Sequence, residues 1–204
     1  MLRETEKEME PPAGMRDGKI GEHVIEACME GDREAFRLLF EAYKDRVFSI
    51  ALYFFGGDES LAGDVVQQVF LKLFDKITQF RSESEFHTWL YRLTTNTCVD
   101  EHRKRRRFLP FGGETRAPAA SHLKRPQEDA YARAEVSESV QAAIAALKPK
   151  LRVTILLKYF EELSYEEIAV VLNCSKGTVA SRLNRGHKML ARRLDNLRGT
   201  LIRG

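Results

Sequence analysis

Apolar residues recur along this chain at three- and four-residue spacing almost from end to end, and no stretch alternates over the length of a strand. From Arg33 to Phe55 the series Phe36, Leu39, Phe40, Tyr43, Val47, Ile50, Ala51 and Phe54 predicts one long amphipathic helix. Asp32 is its expected N-cap and Gly56-Gly57 its stop. A second helix is predicted from about Ser60 to Ile77 on Leu61, Val65, Val69, Leu73 and Ile77. Ser82-x-x-Glu85 reads as a capping box opening a third, with Phe86, Leu90, Leu93 and Thr97 on its inner stripe. The pattern breaks over 108–135, where Pro110, Gly112, Gly113, Pro118 and Pro126 lie among small and charged residues in the manner of a linker. It resumes at 136 with Val140, Ile144 and Leu147, pauses at Lys148-Pro149, and continues through Val153, Ile155, Leu156 and Tyr159. The expected fold class is all-α. Two small helical domains, 22–107 and 136–204, are joined by a flexible linker over 108–135 and preceded by a mobile arm over 1–21.

The second domain carries a more specific signal. Ser164-Tyr165-Glu166-Glu167 is another capping box, and the short helix it opens has Ile168, Ala169 and Leu172 on its inner side. Asn173-Cys174-Ser175 then makes a tight turn: asparagine tolerates left-handed backbone, and Ser175 can cap a second helix. In that helix Val179, Leu183, Gly186 and Leu190 point inward, and Gly186 allows a neighbouring helix to approach closely. The opposite face carries Lys176, Thr178, Ser181, Arg182, Asn184, Arg185 and Lys188. A short helix, a tight turn and a basic second helix make a helix-turn-helix over about 164–191, a shape that enters a major groove.

Charge sharpens this picture. The 204 residues hold 33 Lys+Arg and 30 Asp+Glu, a net +3 that decides little. Its distribution decides more. Residues 1–35 hold five basic and ten acidic groups, Arg103-Lys104-Arg105-Arg106-Arg107 puts five cations in a row, and 176–204 holds eight basic groups against one acid. Two separate basic concentrations point to two contacts with a polyanion. Cys28, Cys98 and Cys174 are isolated, offering neither a disulfide framework nor metal-ligand spacing, which fits a reducing cytoplasm. No apolar run approaches the roughly eighteen residues that span a bilayer, and the acidic, Pro-bearing start is no secretion signal. Five scattered histidines, with no HExxH and no glycine-rich phosphate loop, argue against an enzyme and leave no cofactor to expect.

The motifs together resemble the extracytoplasmic-function (ECF) group of sigma-70 RNA polymerase sigma factors. Leu163-Ser164-Tyr165-Glu166-Glu167-Ile168-Ala169, Gly177-Thr178-Val179 and Ser181-Arg182-Leu183-x-Arg185 look like their promoter-reading region 4. Gly31-Asp32-x-Glu34-Ala35-Phe36 opens a stretch similar to region 2. Within it, Asp64-Val65-Val66-Gln67-Gln68-Val69-Phe70 is similar to the polymerase-docking helix, with Gly63 and Gln68 where the family commonly has acids. Phe80-Arg81 and Thr88-Trp89-Leu90-Tyr91-Arg92-Leu93-x2-Asn96 look like the segment that opens DNA.

The resemblance implies a stress- or signal-responsive factor that binds core RNA polymerase and directs promoter-specific initiation from the cytoplasm. Asp64, Gln67, Gln68, Phe70 and Phe74 would meet the clamp of the large subunit, and region 4 would meet the flap. Duplex contacts in the upstream (minus-thirty-five) element would fall to Ser181, Asn184 and Arg185 on base edges and to Lys176, Thr178, Arg182 and Lys188 on phosphates. In the minus-ten element Arg92, Thr95 and Asn96 would meet the opened strand. Trp89 fits either the core or a stacked base; Arg103, Lys104, Arg105, Arg106 and Arg107 fit either a solvated helix end or phosphate contacts. An anti-sigma partner, membrane-anchored or soluble, is also implied, without insertion of this chain into a membrane. Two rivals stay open at this level. A stand-alone helix-turn-helix repressor or activator would explain the second domain alone. A serine recombinase would need a mixed domain with strands where 22–107 shows none. The 28-residue linker reaches at most about 90 Å but averages about 30 Å as a coil. Family promoters set their elements about two helical turns apart, so the free chain is expected to bind promoter duplex poorly.

Overall fold

The computed structural model describes residues 15–16, 19–80, 85–108 and 138–201. Asp32 accepts hydrogen bonds from the backbone N–H groups of Glu34 (2.7 Å) and Ala35 (3.1 Å), and so starts helix α2, Arg33–Phe54. It comes after the short α1, Glu22–Met29. Gly56 (φ +69°) and Gly57 (φ +92°) end α2 in left-handed backbone that a side chain would strain. Asp58 then caps α3, Glu59–Lys76, through the N–H of Leu61 at 2.9 Å, and a 3-10 turn over Ile77–Gln79 extends it.

Helix α4, Phe86–Phe108, begins later than expected. Ser82 lies outside the described residues, and Glu85 stands before the helix, its carbonyl accepting from the Thr88 N–H at 3.0 Å. Glu85 is therefore not at the third helical position that a capping box requires. The linker expected over 108–135 lies outside the described residues except for Phe108, as does most of the N-terminal arm. One piece of that arm is ordered: strands β1, Met15–Arg16, and β2, Lys19–Ile20, form a small antiparallel hairpin beside α2.

In the second half, helical residues 138–145 (α5) lead to Pro149, which opens α6, Pro149–Tyr159, at a position where its missing N–H costs nothing. Ser164 and Glu167 complete a reciprocal capping box on α7, Tyr165–Val171. Asn173 adopts φ +46° in the turn, and Ser175 Oγ accepts from the Thr178 N–H as α8, Lys176–Leu201, begins. Gly186 is buried against α6, where an added Cβ would lie 3.0 Å from Ile155 Cγ1.

The two halves share one continuous apolar core. Helix α6 packs on α2 and α7 packs on α4. Every residue from Leu151 to Leu157 is buried, the cation Arg152 included. Its guanidinium donates to the carbonyls of Leu147 (2.9 Å), Ala145 and Phe54, and its carbon lies 4.7 Å from the Phe54 ring centre. Burial pulls its pKa down to about 10. Tyr159, expected on the apolar stripe, is 57% exposed instead, its hydroxyl 2.8 Å from His187 Nε2. A phenol can end an apolar run because its oxygen keeps a polar partner.

Gly186→Ala should destabilise the fold by about 1–2 kcal/mol despite alanine's better helix propensity, because Ile155 has little room to retreat. Trimming Ile155 to valine in the same chain should recover part of the loss, as read by denaturant melts. A second expectation concerns His102 on α4, edge-on to the Phe54 ring. Burial, reinforced by Arg152 and Arg106, holds its imidazole below the usual histidine value. The folded chain therefore takes up this proton less readily than the unfolded one. That contribution to stability is present above the unfolded pKa and is lost as pH falls through the folded value. Melts between about pH 7.5 and about pH 5 should show the decline, with a shallower slope in His102→Gln.

Candidate nucleic-acid interface

Three surfaces emerge from this packing. The first is the outward side of α8. With Val179, Leu183 and Gly186 buried beneath it, Lys176, Ser181, Asn184, Arg185 and Lys188 are exposed. Arg185 lies back along the helix, its Nε donating to the Ser181 carbonyl and its Nη2 to the Ser181 hydroxyl, each at 3.2 Å, so the exposed guanidinium rests on the helix surface and has to leave these partners to donate to a groove. Ser181 in turn donates to the Thr178 carbonyl at 2.9 Å. Lys176 is engaged with Glu166 at 2.6 Å, an exposed pair that competing phosphates would readily displace. Thr178 and Arg182 are half-buried on the flank facing α7, where Arg182 Nη1 reaches Cys174 Sγ at 3.7 Å. A solvent-facing helix of this composition, presented by a capped partner and a rigid turn, can lie along a groove and donate to both phosphates and base edges.

The second surface, on α4, is less open than its sequence implies. Asn96 and the cations 103–107 are exposed. Several of these charges are partly met: Arg103 by Asp100 (3.6 Å), Lys104 by Glu101 (3.7 Å), and Arg105 by Glu101 (3.8 Å) and Asp58 (3.9 Å). Trp89 is half-buried between Phe80 and Phe86, with ring centres 5.5 and 6.1 Å away. Thr95, expected to meet the opened strand, is 2% exposed, and Thr88 of the same motif, polar and at matching helical spacing, is 4% exposed. The cause is that α2, α3 and α7 all pack around α4. Thr95 accommodates burial by donating its hydroxyl to the Tyr91 carbonyl at 2.8 Å. Arg92 is half-buried too, donating to the Val170 carbonyl of α7.

On α3 the third surface is a stripe at helical spacing: Asp64, Gln67, Leu71 and Phe74 are exposed, with Gln68 half-buried beside them. Phe74 is 55% exposed, touching Phe36 only edge-on, and Leu71 is 60% exposed. Phe70, expected here, is 5% exposed and packs on Phe40 at 4.7 Å, so it supports the stripe from below. Leu71 is not among the residues that the sequence motifs single out. The signal was available, since it is a leucine off the Val65–Val69–Leu73 stripe and one turn beyond Gln67. Among the described residues no group of three or more His, Cys, Asp or Glu could hold a metal ion, and no helix is long and apolar enough to cross a membrane.

Comparison with known proteins bears on these surfaces. The family pattern of Sigma-70 region 2 matches residues 39–108, and that of Sigma-70, region 4 matches residues 137–190. The ECF RNA polymerase sigma factor SigW of Bacillus subtilis is 32% identical over 180 residues, covering 85% of this chain and 96% of its own length. The RNA polymerase sigma-H factor of Pseudomonas aeruginosa is 33% identical, covering 86% of this chain and 94% of its own. Among solved structures, CnrH in complex with the cytosolic domain of CnrY has a similar fold: TM-score 0.63, 24% identity, covering 85% of this chain and 96% of that one.

On α8 the prediction separates two residues. Arg185→Ala should weaken duplex binding by about 1–3 kcal/mol and relax preference at one or two base pairs. Lys188→Ala should weaken binding to all sequences alike and flatten the salt dependence. Profiles across single-base variants of a bound duplex test both, and an unchanged profile for Arg185→Ala removes it from the base-reading set.

Proposed function

This chain belongs to the extracytoplasmic-function group of the sigma-70 family of RNA polymerase sigma factors, and on that premise we propose how its three surfaces divide the work of promoter-specific initiation. The α3 stripe joins core RNA polymerase, α8 reads the upstream promoter element in duplex form, and α4 with its basic end holds the downstream element as its strands part. Region 2 corresponds to residues 22–107 and region 4 to 136–204. The factor acts in the cytoplasm in response to a stress or other signal. Its role is recognition and positioning, with the chemistry left to the polymerase.

One observation carries this reading. Leu71 and Phe74 present exposed apolar surface on a helix remote in sequence from the helix-turn-helix, flanked by Asp64 and Gln67. Large exposed apolar side chains with polar neighbours are the composition of a protein-binding face. A stand-alone repressor or activator has a use for α8 and none for this stripe. A serine recombinase would need a mixed α/β catalytic domain, whereas the strands among the described residues are two residues long.

Regulation is part of the proposal. CnrH has been solved with the cytosolic domain of CnrY, and RpoE of Bartonella quintana with the anti-sigma factor NepR. An anti-sigma partner of this chain would hold it inactive, at the membrane or in solution, until its signal arrives.

Replacing Asp64 and Gln67 together by alanine, or Leu71 alone, should lower affinity for core polymerase by about tenfold, equivalent to about 1.4 kcal/mol. Transcription from a dependent promoter should fall in parallel, while duplex binding through α8 stays unchanged. Pull-down of core by the full chain, scored beside duplex binding, is the test. Undiminished capture of core by all these variants would remove α3 from the docking role.

A further inference from the structure

The polar side chains on the outward side of α8 are not equally free to meet DNA. Lys176 is paired with Glu166 on α7. The Thr178 hydroxyl lies 2.9 Å from that of Ser175, and Arg182 reaches Cys174. Ser181 and Arg185 are bonded to each other, and the Ser181 proton goes to the Thr178 carbonyl. Asn184 and Lys188 differ. Both are exposed, and among the described residues neither makes a hydrogen bond or an ion pair. One turn before Asn184, Ala180 is exposed too and presents a bare methyl group. Ala180, Asn184 and Lys188 thus form a row at four-residue spacing that breaks no internal bond when it meets a ligand.

We propose that this row selects the base sequence of the duplex element: Asn184 reads an adenine, and Ala180 reads the methyl group of a thymine one or two base pairs away. The inference rests on the reading of α8 as the duplex-reading helix and names what that helix selects. A side-chain amide offers one donor group and one acceptor. In the major groove adenine presents the matching pair on a single base, N7 accepting and N6 donating. Guanine presents two acceptors, N7 and O6, and would leave the amide oxygen desolvated against one of them. The wrong purine is therefore rejected as well as the right one held.

Ala180 has no polar atom with which to meet a base edge. The apolar feature of the groove is the C5 methyl of thymine, and a contact there takes two methyl groups out of water while desolvating nothing polar. The spacing agrees. Four residues of helix rise about 6 Å, against about 3.4 Å for each base along a strand. With α8 lying along the groove, the two side chains fall within two base pairs of each other. Ser181 and Arg185 have to leave each other before they meet a base, whereas Asn184 leaves only water.

The test uses the full chain with core polymerase and a promoter duplex whose upstream element that complex has selected from a randomised pool. Single adenines are replaced by 7-deazaadenine, which lacks the N7 acceptor, and single thymines by uracil, which lacks the methyl group. With the parent chain, one adenine should prove sensitive, binding falling about three- to tenfold. A thymine within two base pairs of it should cost about fourfold on replacement, the worth of one buried methyl group. Asn184→Ala should lose the first sensitivity and keep the second, and Ala180→Gly should do the reverse. Because glycine loosens a helix, Ala180→Arg serves as a second variant, and a repeated selection with it should return guanine at that base pair. A selected element indifferent to both analogues, or sensitivities that survive in the variants, overturns the proposal alone. If the complex selects no upstream element, the reading of α8 falls and the proposal falls with it.

Discussion

The contact on which the rest of the molecule depends is Arg152 against the C-terminal end of α2. A buried guanidinium donates at once to the Phe54 carbonyl and to those of Ala145 and Leu147, with the Phe54 ring beneath it. The carbonyls at a helix terminus lack intrahelical partners and carry the negative end of the macrodipole, so a cation there is favourably sited. In one residue the chain caps α2, closes the end of α5 and fixes α6 to the first domain. Gly56 lets this happen, since a Cβ there would lie 2.9 Å from the Cβ of Ala145.

That pin sets the geometry of both candidate DNA surfaces. With α6 held on α2, α7 comes down onto α4, and α8 crosses α6 with its basic face turned outward. The closed chain thus leaves the α3 stripe and most of α8 in solvent while engaging Arg92. Docking on polymerase is compatible with this arrangement. Arg92, in contrast, is engaged with the Val170 carbonyl.

Local rules made much of the fold legible. Asp32 and Ser164 accept from N–H groups of the helices they cap, Asn173 takes the left-handed conformation that a tight turn requires, and Gly186 is where α6 approaches. Each depends on residues within a few positions or on helical periodicity. What failed was anything set by a distant partner. Thr88 and Thr95 look polar and outward by spacing, yet three helices enclose α4. Phe70 looks like an edge residue until Phe40 is seen against it. The Tyr91–Glu161 and Phe54–Arg152 contacts join residues 70 and 98 positions apart, and no periodic pattern encodes which of many polar groups will meet. Glu85 failed for a local reason, because the helix starts one residue after it.

The central claim is that one chain holds its two reading domains together when free and that polymerase separates them. Spin labels at Asp75→Cys on α3 and Arg192→Cys on α8, both exposed, in a Cys174→Ser background, report this distance by electron–electron dipolar spectroscopy. The free chain should give one short, narrow distribution, and saturating core polymerase should replace it with a separation longer by tens of ångströms. A distribution already broad and long in the free chain, or one that core leaves unmoved, contradicts the account.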